Sequence, residues 1–169
     1  MVARLLARHM ARSLACLMAL VMVLSVCAGS SHAQDAQIRD MSVKELDALV
    51  QKTTKEGRGV FINFFATWCP PCRIELPMVA QLEKKYGKKV LFIGLCVDDK
   101  KDMDKVASFK KDKKIGYPVY MAGRDLVAKY GVSTIPYNVG YDKKGKMAFA
   151  YVGVVEEDEL EDLVAGLQK

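Results

Sequence analysis

The chain has 169 residues, 51% hydrophobic and 27% charged, which suits one globular core and excludes a disordered tail or a low-complexity array. Its formal net charge is +6, and Arg4, Arg8 and Arg12 supply half of that excess, so the remainder is too mild to point to a nucleic-acid partner. Both histidines, His9 and His32, lie near the start, which leaves no histidine for a metal site further along.

The first 33 residues read as a secretory signal. Arg4, Arg8 and Arg12 form a positive region, residues 13–26 form an uncharged apolar run, and Ser31-His32-Ala33 offers small residues for cleavage after Ala33. Two other readings stay open. The apolar run could remain as an anchor, although it is shorter than the roughly 20 residues that span a bilayer. Leu24-Ser25-Val26-Cys27 also resembles a lipoprotein box with Cys27 lipidated. All three readings export the domain. Residues 34–40 then serve as a short linker and residues 41–169 as the folded domain.

In chain order, Ser42-Val43-Lys44-Glu45 matches a capping box, and Val43, Leu46, Leu49 and Val50 follow at helical spacing. Residues 60–65, VFINFF, predict a strand buried on both faces, with Asn63 its one polar member. Residues 71–86 predict a helix whose inner face carries Ile74, Met78, Leu82 and Tyr86, widened by Leu76, Val79 and Ala80, with Pro77 inside it. A second buried strand is expected at 90–97. A lysine-rich helix follows at 99–114, with Met103, Val106, Ala107 and Phe109 inward. A short strand at 117–121, a short helix at 124–130, a hairpin of 138–141 with 147–152, and a final helix at 156–167 complete the pattern. Alternating strands and helices that end in a hairpin and a helix give an α/β class with a mixed sheet.

The chemistry sits in Trp68-Cys69-Pro70-Pro71-Cys72, where the first buried strand meets a helix N-terminus. Free N–H groups and the positive helix end lower a thiol's pKa, and the thiolate is the nucleophile. Cys69 is expected at that terminus, exposed enough to attack, with Cys72 one turn on to resolve a mixed disulfide. Proline in the first helical turn removes no hydrogen bond. Beyond the leader only Cys69, Cys72 and Cys96 remain, an odd number that does not build a structural disulfide framework. A zinc cage would need ligands that the domain lacks. Cys96, in a buried strand, reads as a small hydrophobe.

Residues 61–72, FINFFATWCPPC, resemble the active-site segment of the thioredoxin superfamily, and in kind the exported TlpA/ResA-type reductases. Pro77 matches that superfamily's helix-kinking proline, and Ile135-Pro136 its cis-proline loop; the likeness covers residues 41–168. It implies a thioredoxin fold, a mixed central sheet with helices on both faces. It implies a thiol–disulfide oxidoreductase in which Cys69 and Cys72 are catalytic and Glu75, three after Cys72, handles a proton. Trp68, Pro70, Pro71, Ile135 and Pro136 would then meet the substrate. No cofactor is implied beyond the redox-active Cys69–Cys72 disulfide.

The resemblance also implies a monomer in the periplasm, soluble or tethered to the inner membrane. Such a protein would reduce disulfides of exported proteins, with a place in cytochrome c maturation, and draw electrons from a membrane thiol donor. The chain departs from the pattern where Asp40 onward reads as a helix rather than a β-hairpin, where Tyr137-Asn138 follows the proline, and in having no Gly-x-Pro-Glu segment.

Three rivals stand beside this reading. One is a thiol oxidase or isomerase. Another is a Cu(I)-binding module using Cys69, Cys72 and thioethers drawn from Met41, Met78, Met103, Met121 and Met147. The third is a redox sensor without turnover. For Glu75 the competing reading is a surface acid at a helix start. Asn63, where many thioredoxins carry a buried Asp, cannot accept a proton at neutral pH and is equally a hydrogen-bonded core amide. The lysines of 100–114 read as a solvated face.

Overall fold

In the computed structural model, which describes residues 37–169, the VFINFF run is the middle of a six-stranded mixed sheet. The strands are β1 (Asp40–Met41), β2 (Gly59–Phe65), β3 (Val90–Cys96), β4 (Val119–Ala122), β5 (Tyr137–Tyr141) and β6 (Met147–Val152), in the order β1-β4-β3-β2-β5-β6. β2 runs parallel to β3 and antiparallel to β5. The helices are α1 (Val43–Lys55), α2 (Pro70–Tyr86), α3 (Met103–Asp112), α4 (Arg124–Tyr130) and α5 (Glu157–Gly166). The leader readings, including Cys16, Cys27 and the cleavage point, lie outside the described residues.

β2 earns its central place by having both faces apolar, and all seven of its residues are buried. Its side chains alternate between two cores. Phe61 and Phe65 join a cluster with α2, α3 and α5, while Val60, Ile62 and Phe64 join one with α1 and α4. Each fully buried phenylalanine contributes about 2–3 kcal/mol of transfer free energy. Alternation puts Asn63 on the Phe61–Phe65 face, toward α2.

The capping box at Ser42 is formed in both directions. The Glu45 N–H donates to Ser42 Oγ at 3.2 Å, and the Ser42 N–H donates to Glu45 Oε2 at 2.9 Å. α4 ends at Gly131, whose φ of 62° is open to glycine without strain. At Gly140 a side chain would collide with the Phe149 ring, 2.2 Å from the Cβ position, so the β5–β6 ribbon closes on α5 only with glycine there.

Three expectations are corrected. Ile74 is 66% exposed; the rest of the expected inner face of α2 holds, with Leu76, Val79, Ala80 and Leu82 buried and Met78 and Tyr86 packed against the core, and Cys72 and Glu75 join it. The expected helix at 99–114 is a 3₁₀ turn (Lys100–Asp102) followed by α3, which stops before Lys114, a residue with a left-handed φ of 54°. Ala107 faces solvent, leaving Val106 and Phe109 as the buried residues of α3. The chain also adds β1, two residues paired in parallel with β4, too short to register as a period.

Candidate functional site

At the C-terminal end of β2 the chain turns through residues 66–68 into α2. Cys69 is the N-cap of that helix, with extended backbone angles of φ −84° and ψ 109°, and Pro70 and Pro71 open its first turn. Cys69 and Cys72 are joined as a disulfide, their Cα atoms 5.3 Å apart. The Cys72 N–H points at Cys69 Sγ from 3.2 Å. When the pair is reduced, a negative charge on Cys69 therefore faces a free helix N–H and the positive end of a 17-residue helix.

Cys69 is less open than expected. It is 3% exposed, because its Sγ lies 3.8 Å from the Ile135 carbonyl oxygen in the loop that carries the cis Ile135–Pro136 peptide bond. Pro136 is buried and Ile135 half-buried. Exposure falls around the pair instead, on Trp68 at 62%, on Ile74, and on Pro70 and Pro71. The structure thus brings together Trp68, Cys69, Pro70, Pro71, Cys72, Ile135 and Pro136 as an apolar rim around a covered disulfide.

Two buried carboxylates flank this disulfide. On the Trp68 side, Asp98, just beyond β3, receives the Thr67 N–H at 3.0 Å and the Thr67 hydroxyl, with the Lys105 ammonium 3.9 Å away. The Thr67 carbonyl in turn accepts from Arg73 Nη1 at 2.9 Å. The residue before Trp68 is thereby held at its N–H, its hydroxyl and its carbonyl.

On the other side, Glu75 is 0% exposed, which overturns the surface-acid reading. Its Oε2 accepts from Asn63 Nδ2 at 3.0 Å, and its Oε1 accepts from Asn138 Nδ2 at 2.9 Å and from the Val155 N–H at 3.2 Å. Asn63 and Asn138 stand directly opposite each other in the β2–β5 ladder, and Asn63 Nδ2 also donates to Asn138 Oδ1 at 2.7 Å. Burial raises the Glu75 pKa above the ordinary 4.5, and the three hydrogen bonds partly oppose that rise, the one from Asn138 most. The arrangement can hold a carboxylate or take up a proton one helical turn from Cys72.

Cys96 is buried on β3. Desolvation pushes its thiol up to about 12, so it is not a nucleophile at neutral pH. Met41 and Met121 are core residues, Met78 and Met103 pack against the core, and Met147 is exposed on β6. Among the described residues, no three His, Cys, Asp or Glu side chains gather as a metal site.

Reading along the sequence did not find Thr67, Asp98 or Val155, nor the part played by Asn138. Asn138 did carry a signal, since like Asn63 it is a lone amide in an apolar strand. Thr67 and Asp98 are 31 residues apart and carried none.

Comparison with known proteins places these features in context. The Redoxin family model matches residues 31–167. Thioredoxin-like protein YneN of Bacillus subtilis is 30% identical over 129 residues, covering 74% of this chain and 75% of that one. Thiol-disulfide oxidoreductase ResA of Bacillus thuringiensis is 34% identical over 107 residues, covering 63% of this chain and 61% of that one, under two thirds of its length. Among solved structures, a thiol:disulfide interchange protein of the thioredoxin family from Chlorobium tepidum superimposes with a TM-score of 0.64 at 28% identity, covering 70% of this chain and 85% of that one.

Proposed function

Because the chain belongs to the Redoxin family within the thioredoxin superfamily, and is a thiol–disulfide oxidoreductase of the ResA type, we propose that it reduces disulfides of exported polypeptides, with Cys69 attacking and Cys72 resolving. The observation that carries this is the place of Cys69: N-cap of α2, its Sγ faced by the Cys72 N–H and lying against the Ile135 carbonyl.

In the reduced enzyme the Cys69 thiolate attacks one sulfur of the substrate disulfide. A mixed disulfide forms and one substrate thiolate leaves. Cys72 loses its proton to Glu75 and attacks the Cys69 sulfur. The second substrate thiolate leaves, and the Cys69–Cys72 disulfide forms. Two electrons pass from the pair to the substrate, and a membrane dithiol donor restores them. Trp68, Pro70, Pro71 and the Ile135–Pro136 loop hold the substrate chain.

Pro70-Pro71 places neither a side-chain donor nor a charge beside Cys69. A dipeptide of that kind adds nothing to the stability of the reduced form, which favours a reductant over an oxidant. Export rests on the leader pattern of residues 1–33, and among the described residues no helix is long and apolar enough to cross a membrane. Apocytochromes, whose cysteine pairs must be reduced before haem attachment, fit this substrate class. The protein works as a monomer with the disulfide as its only redox group.

The test is the reduction potential of the Cys69–Cys72 pair, equilibrated against thiol buffers. We expect a value at or below about −250 mV. A value above about −180 mV would turn the reading to an oxidase or isomerase. Cys72→Ser should trap a mixed disulfide with a disulfide-bonded peptide, whereas Cys69→Ser should trap none.

A further inference from the structure

Among the described residues, Glu75 is buried with no cation against it, and its partners are two neutral carboxamides and one backbone N–H. A carboxylate in that position would cost several kcal/mol if bare, so the amides stand where a counter-charge would otherwise be needed. They come as a matched pair, opposite each other across β2 and β5 and linked at 2.7 Å. That link uses the second Asn63 N–H and leaves Asn63 Oδ1 buried without a partner. Every hydrogen bond given to Glu75 is thus a donation to its oxygens, and the spare acceptor, Asn63 Oδ1, makes no bond with it. This bonding pattern fits the ionised carboxylate rather than the protonated one.

We propose that Asn138, with Asn63 behind it, is a positioning residue that sets the pH at which Glu75 exchanges its proton, and so the pH range of Cys72 activation. This deepens the proposed function and rests on it for the last step only. Asn138 is the more important of the two because it donates to Oε1 at 2.9 Å, a shorter bond than that of Asn63 to Oε2, while its own oxygen anchors Asn63.

The titratable groups on the elements packed around this cluster are the Cys69–Cys72 pair and Glu83 on α2, the Cys96 thiol on β3 with its pKa raised to about 12, the Tyr117 phenol, which burial and the charges of Glu75 and Glu83 hold protonated, and Tyr151, which stands opposite Asn138 on β6. A carboxyl titration present in the wild type and lost in Glu75→Gln therefore belongs to Glu75.

The experiment is an infrared titration of the carboxyl band in the oxidised protein, with Glu75→Gln fixing the assignment. Asn138→Ala should move the midpoint up by at least about one pH unit, the worth of one hydrogen bond to a charged group. Asn63→Ala should move it the same way by less. Asn138→Ser keeps the test available should Asn138→Ala not hold native circular dichroism. A midpoint equal to wild type in folded Asn138 variants would overturn the proposal.

The pH profile of dithiol exchange then tests the link to catalysis. Asn138→Ala should displace the rising limb by the same interval, and should displace nothing in a Glu75→Gln background. A uniform loss of rate at every pH would mark Asn138 as merely structural and overturn the proposal. A wild-type profile in Glu75→Gln would instead sink the catalytic reading of Glu75 and leave the infrared result to stand by itself.

Discussion

Asp98 and Glu75 are both buried acids beside the same disulfide, yet they are held by opposite means. Asp98 has an ammonium at 3.9 Å and bonds from a single residue, Thr67, that it shares with Arg73. Glu75 has no cation against it among the described residues and is held by amides contributed from β2 and β5 and by a backbone N–H. Asp98 thereby fastens the backbone and the hydroxyl of Thr67. Among the described residues Glu75 has no counter-charge, and its burial raises the pKa above the ordinary 4.5. The same chemical group thus clamps Thr67 on one side of the disulfide and sits in an uncharged hydrogen-bonding cluster on the other.

Removing the clamp should produce the largest change. Asp98→Ala leaves the buried Thr67 N–H unpaired and should cost about 3 kcal/mol in urea unfolding, with no displacement of the pH limb of exchange. A displaced limb would break the contrast, because it would make Asp98 part of proton handling.

Glu75→Gln should do the reverse. It keeps the shape of the site and should cost less than about 1 kcal/mol in stability, but should slow the resolving step about 100-fold. The pH dependence of folding sharpens the same point. The Glu75 pKa is raised in the folded state, so the folded protein binds the proton more tightly than the unfolded chain. The stability contributed by protonated Glu75 is full below the ordinary 4.5 and is lost as pH rises through the folded-state value. Urea midpoints should therefore fall with rising pH in that window, and Glu75→Gln should flatten the slope.

The smallest effect belongs to Cys96, two residues before Asp98 on the clamp side. With its thiol pushed up to about 12, it should resist alkylation at pH 8 in the folded protein, while reduced Cys69 reacts. Cys96→Ala should cost about 1 kcal/mol and leave exchange unchanged.

Much of this was legible from residue order. The VFINFF strand, the Ser42 capping box, the short helix ended by Gly131 and the hairpin of 138–141 with 147–152 all sit where local chemistry placed them, because each is decided by neighbours a few residues apart. The inner face of α2 was misjudged only at Ile74. Residues spaced strictly by four advance about 40° per step around a helix of 3.6 residues per turn, so a ladder that is buried at Leu82 stands off the core two steps earlier, at Ile74. Glu75 could not be placed by type alone, since an acid in an early helix turn is favourable whether it is exposed or buried. Its partners Asn63, Asn138 and Val155 stand 12, 63 and 80 residues away, and only sheet pairing brings them together. The Asp98 clamp is non-local in the same way.

One short stretch of backbone after β6 touches both halves of the site. The Gly153 N–H donates to the Pro136 carbonyl at 2.8 Å, and two residues later the Val155 N–H donates to Glu75. The proline loop and the glutamate are thus fastened to the same short strip of backbone. Any displacement of that strip on substrate binding changes the energy of the Glu75 proton. By thermodynamic reciprocity, protonating Glu75 must then alter substrate affinity by the same factor.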